Sequence, residues 1–163
     1  MNDEISSRKY QIGYDELSKR FNILVDHLAS FHLHLDGRFR HSRLADHILY
    51  PSWITVGETI ETDRPFHHEH IVPCAYLFDE CFKLFASREL DVARKESLFL
   101  LKRCLKVVVI SKEKASLLDG SMGLRDKMPN DWNIITGDPF ARIRLVYPDL
   151  HGIKFYNNGD FKI

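Results

Sequence analysis

A chain of 163 residues that is 44% hydrophobic and 12% aromatic can bury one core, which excludes a disordered protein. Its 23 basic and 23 acidic side chains cancel, which argues against a generic polyanion binder. No run approaches the roughly 20 apolar residues of a membrane helix, and the opening MNDEISSRKY has no apolar signal core. Cys74, Cys81 and Cys104 are too few for a disulfide framework and miss the CxxC spacing of a zinc knuckle. They are read as buried thiols in a reducing, cytoplasmic setting.

Leu17, Phe21, Leu24, Val25 and Leu28 recur at three- and four-residue spacing and predict an amphipathic helix over 14–30. In Phe31-His32-Leu33-His34-Leu35, alternation would align two imidazoles on one side of an amphipathic edge. A second helix is expected over about 42–50, stopped by Pro51. Trp53–Val56 reads as a strand that Gly57-Glu58 turns into Thr59–Thr62. Residues 67–70 read as extended. Pro73 then suits the first turn of a helix over 75–85.

Leu90, Ala93, Ser97, Leu101, Cys104 and Leu105 share one face of a long helix over 89–105. Val107–Ile110, all β-branched, predicts a buried strand. Ser111 is placed as the cap of a short helix through Asp119. Residues 121–137 read as loop, and Asp138-Pro139 as the start of a helix over 139–146. Ile153–Tyr156, Asn157–Asp160 and Phe161–Ile163 carry a hairpin signal. Helices and strands mix without regular βαβ alternation. The expected class is therefore α+β: one domain over 1–163, with a helical region of about 1–50 and an α+β region of about 51–163, a small antiparallel β component and a C-terminal hairpin.

The densest polar cluster is His67-His68-Glu69-His70, followed by Ile71-Val72-Pro73. Three imidazoles and a carboxylate suit a divalent metal, or a general base beside one. In an extended segment His68 and His70 point to one side and His67 and Glu69 to the other. The plain reading of the same cluster is a solvated loop or helix start with one histidine buried and hydrogen-bonded.

Glu69-His70-Ile71-Val72-Pro73 resembles the opening signature of HNH, or His-Me finger, endonucleases. The resemblance implies that Glu69, with His68 beside it, holds a divalent ion of the Mg²⁺ or Mn²⁺ type, with Zn²⁺ a further option. It implies that His70 is the general base activating water against a phosphodiester. In that family a second strand and a helix bearing an Asn or His ligand follow. Here the third ligand would be Asp79, Glu80 or Asp91, or a distant Asn130, Asp131 or His151. More broadly, EHIVP, a long helix, VVVISKEKASLLDG, LRDKMPNDW and DPFAR together are similar to small proteins of phages and mobile elements. That similarity implies a role in host–phage conflict.

Cations that could position phosphate are Arg38, Arg40 and Arg43 around Phe39, Lys102, Arg103 and Lys106 on the long helix, and Arg142. Arg142 either pairs with Asp138 or joins the catalytic set at a phosphate. Trp132 reads as a plug under a loop rather than a base-stacking platform. Residues 1–82 hold 8 basic and 13 acidic side chains, and residues 83–163 hold 15 and 10. The halves are therefore −5 and +5. Two expectations follow. One is a metal-dependent HNH-like nuclease acting on nucleic acid. The other is a non-catalytic inhibitor or accessory factor that binds a protein partner. Neither involves a membrane.

Overall fold

The computed structural model describes residues 12–35, 43–62 and 64–156. The class is α+β, as the sequence implies. Helix α1 spans Tyr14–Leu35 and α2 spans Arg43–Ile48. Strands β1 (Thr55–Thr59) and β2 (Phe66–His70) precede a long helical pair, α3 (Cys74–Ser87) and α4 (Leu90–Cys104). Then come β3 (Val107–Ser111), α5 (Lys112–Ser116) with a wide helical turn over Leu117–Ser121, α6 (Ala141–Arg144) and β4 (Ile153–Phe155).

The periodic residues of α1 are all buried. Its helix continues to Leu35, so the alternation of His32 and His34 never becomes an extended edge. His32 instead stacks near Phe82 and Phe85 of α3. Helix α1 packs on both α3 and α4, so the helical front is not a separate unit. Asp26 pairs with Arg94, and Lys102 donates to Ser18, so α1 and α4 run antiparallel. Along α4, Ala93, Ser97, Leu101 and Cys104 are buried as expected, while Leu90 is exposed. All three cysteines are buried, and desolvation raises each thiol, Cys81 to about 12.

The sheet order is β2-β3-β1-β4. It is mixed rather than antiparallel, because β1 and β3 run parallel while β2 and β4 pair antiparallel to their neighbours. Central β3 is flanked on both sides, which explains its unbroken apolar run. Gly57 does not turn the chain: β1 passes through it, and the first half of the expected strand is a helical turn, Pro51–Trp53. A Cβ on Gly57 would lie 2.9 Å from the Lys154 carbonyl oxygen, so glycine there lets β4 close on β1. Ile153–Phe155 thus pairs with β1; the turn and second arm of the expected hairpin lie outside the described residues. One contiguous core joins helices and sheet. Among the described residues, no helix is long and apolar enough to cross a membrane.

Candidate functional site

Strand β2 is an edge strand. Among the described residues it pairs with β3 alone, with His68, Glu69 and His70 opposite Val109, Val108 and Val107. The next residue also belongs to this register, since Ile71 N–H donates to the Lys106 carbonyl. The pleat places His67 and Glu69 together, with Nε2 and Oε2 3.4 Å apart. The imidazole that meets Glu69 is therefore His67, as the alternation of an extended segment expects, and not the His68 that the implied ligand pair needs. His67 and His68 are exposed, Glu69 is buried and His70 is half-buried.

Glu69 is buried because an arginine comes to it from 73 positions away. Arg142 is fully buried, and its Nη1 donates to Glu69 Oε1 at 2.5 Å. The same nitrogen donates to the His70 carbonyl at 3.1 Å. Nη2 donates to Asp119 Oδ1 at 3.0 Å, and Nε to the Leu124 carbonyl at 2.8 Å. These four bonds use most of the five N–H donors of a guanidinium, as its burial requires. Arg142 does not pair with Asp138. That carboxylate caps the following turn through Phe140 N–H and pairs with Arg144 instead. A four-residue helix turns Arg142 inward and Arg144 outward.

A cleft of about 490 Å³ opens against this end of β2. His67, His68, Glu69, His70, Asp119, Arg125 and Asp126 line it, with Pro73, Cys74 and Ala75. Burial drives the His70 pKa down to about 4, helped by the positive charge of Arg142 and by the two neighbouring histidines. Its Nε2 is shielded from solvent and has no hydrogen-bond partner among the described residues. Burial also lowers the His68 pKa. It raises that of Glu69, against the pull of Arg142. Neutral imidazoles at pH 7 can accept protons. Cys74 is no nucleophile here, because full burial pushes its thiol far up.

The structure brings together five of the residues singled out in the sequence: His67, His68, Glu69, His70 and Arg142. It adds Asp119, Arg125 and Asp126. Asp119 lies within the helical turn Leu117–Ser121 that follows β3 and α5. The candidates Asp79, Glu80, Asp91, Asn130, Asp131 and His151 do not line the cleft. Glu80 pairs with Lys83 on its own helix.

The divalent ion implied by the resemblance does not fit this donor set. Glu69 and Asp119, the two carboxylates that approach each other, each give an oxygen to Arg142. No three potential ligands converge on one point among the described residues. A chelated ion would have to displace a buried guanidinium.

Among the described residues, none of the other expected phosphate-positioning cations lines the cleft. Arg103 donates to the carbonyls of Ile134 and Gly137, Lys106 is buried and Arg43 is exposed on α2. Trp132 packs edge-on to Tyr76 and donates to the Asp138 carbonyl, which makes it a loop plug. Gly137 lies so close that a Cβ would sit 2.6 Å from the Trp132 Nε1. Arg38, Phe39 and Arg40 lie outside the described residues. No known protein family, curated protein or solved structure matches the chain.

Proposed function

We propose that the protein is an HNH-like nuclease that hydrolyses phosphodiesters in the cleft at the end of β2, with His70 as general base. The observation that carries this reading is His70 itself. It lines a polar cleft, stays neutral at physiological pH, and keeps a ring nitrogen without a partner among the described residues. A structural histidine at this burial would ordinarily satisfy both nitrogens.

A pKa near 4 makes His70 a weak base in the free protein, since a general base works best near the operating pH. An anionic phosphate in the cleft would offset the repulsion from Arg142 and raise that pKa when it is needed. Arg125 is the exposed cation on the cleft wall and would meet the phosphate. His67, exposed on the cleft wall, would protonate the leaving oxygen. On this reading β3 and the helical segment after it would stand for the family's second strand and helix, although the pair α3–α4 lies between the two strands.

A second reading, a non-catalytic factor that binds a protein partner, is favoured by one observation. Two of the three carboxylates that line the cleft, Glu69 and Asp119, each already give an oxygen to Arg142. Incubation with supercoiled DNA, single-stranded DNA and RNA, with and without Mg²⁺ or Mn²⁺, separates the two. The nuclease reading expects cleavage that falls about 10²- to 10⁴-fold in His70→Ala. Cleavage should persist in His27→Ala, an exposed histidine of α1. No cleavage of any substrate would leave the binding reading.

A further inference from the structure

The nuclease reading implies an ion between Glu69 and the helix after β3. That position is filled by the chain's own cation. We propose that Arg142 is a built-in replacement for the divalent ion, so that these carboxylates neither bind nor need one. The inference rests on the HNH-like reading for the place of the ion, but its geometry is independent of it.

Arg142 bridges Glu69 Oε1 at 2.5 Å and Asp119 Oδ1 at 3.0 Å, and two backbone carbonyls complete its acceptors. Carboxylates plus carbonyls are the donor set of a hard cation. Here they receive a planar fork with one positive charge, tethered to α6 and buried to 0% exposure. An incoming ion would have to shed its water and leave the buried guanidinium without its carboxylate partners. Both steps are unfavourable. The two carboxylates and one guanidinium leave a net charge of −1, with the outer Glu69 oxygen turned to His67 rather than to a third carboxylate. Arg142 does not line the cleft. It is therefore a positioning residue: it fixes the Glu69 carboxylate and, through the His70 carbonyl, the backbone of the proposed base.

The test is a Mn²⁺ titration followed by electron paramagnetic resonance, which reads binding without activity. Wild type and Arg142→Lys, which keeps the charge, are expected to take up no stoichiometric Mn²⁺ below about 1 mM. Arg142→Met, similar in length but uncharged, is expected to bind one Mn²⁺ at least about tenfold more tightly. Adding Glu69→Gln to that variant should abolish the gain. A merely structural role for Arg142 would not separate Lys from Met in this way.

Stoichiometric Mn²⁺ uptake by wild type that Glu69→Gln removes would overturn the proposal. So would a folded Arg142→Met that binds no better than wild type. If Arg142→Met does not fold, the wild-type titration with its Glu69→Gln control still decides. Cleavage assays on the same samples keep the two claims apart. Absent cleavage together with absent Mn²⁺ uptake sinks the nuclease reading and supports the role of Arg142. Cleavage that requires Mg²⁺, with uptake at Glu69, does the reverse.

Discussion

The helical layer and the cleft bury side chains by opposite means. Between α1, α3 and α4 the buried groups are Leu24, Leu28, Leu77, Phe78, Leu101 and their neighbours, joined by non-directional contact. Beside β2 the buried groups are Glu69 and Arg142, joined by directional charge-assisted bonds. The layer can lose one side chain and keep the rest of its contacts. The cleft cannot, because each charge there is tolerable only while its partner remains.

The largest effect should therefore come from the charged group. Glu69→Gln leaves Arg142 with Asp119 as its only carboxylate, and about 4 kcal/mol of unfolding free energy is expected to go. Leu101→Ala, at a site of 0% exposure, should cost about 3 kcal/mol through lost transfer and a residual cavity. Denaturant titration checks both. The sharper readout is additivity. Leu101→Ala should add to Glu69→Gln, whereas Arg142→Met should not, since those two share one interaction. Equal additivity would erase the distinction between the regions.

Acid offers the next largest contrast. The His70 pKa falls from the ordinary 6.5 to about 4 in the folded chain. Between those values the unfolded chain takes up a proton that the folded chain refuses. Stability is then lost as pH drops from 6.5 towards 4, by up to about 3 kcal/mol. His68 shifts in the same direction. Glu69, whose pKa is raised, acts in the opposite sense, losing stability as pH rises past its ordinary 4.5. The His70 contribution is thus the difference between wild type and His70→Gln, read from thermal unfolding at pH 7, 5.5 and 4. Identical slopes in the two proteins would refute it.

The same physical difference governs what could be read from the sequence. Apolar patterning is local, so α1, α3 and α4 follow from residues three or four apart and β3 from an unbroken β-branched run. The cleft depends on partners 23 and 73 positions from Arg142, and no spacing encodes those distances. Five residues of the site stood out by composition or helix position, yet the ion pair joining Glu69 to Arg142 did not. The meeting of His67 with Glu69 was legible, because the pleat of an extended strand puts both on the same side. Gly57 misled for a related reason: its role is set by the approach of β4, nearly 100 residues later, and not by its neighbours.

Ser111 tests whether the two regions communicate. Its side chain closes β3 and caps α5, accepting from Lys114 N–H at 3.4 Å. That is long for a hydrogen bond, so Ser111→Ala should cost only about 0.5–1 kcal/mol, the low end for a lost cap. The segment it starts carries Asp119 into the cleft. Arg142 holds Asp119 from the other side, and α5 rests on β2 and β3. If the charged cluster positions the segment, fraying its first turn should leave Asp119 in place. The acid dependence traced to His70 should then be unchanged in Ser111→Ala. If that dependence shifts along with stability, the cap rather than the guanidinium sets the geometry of the cleft.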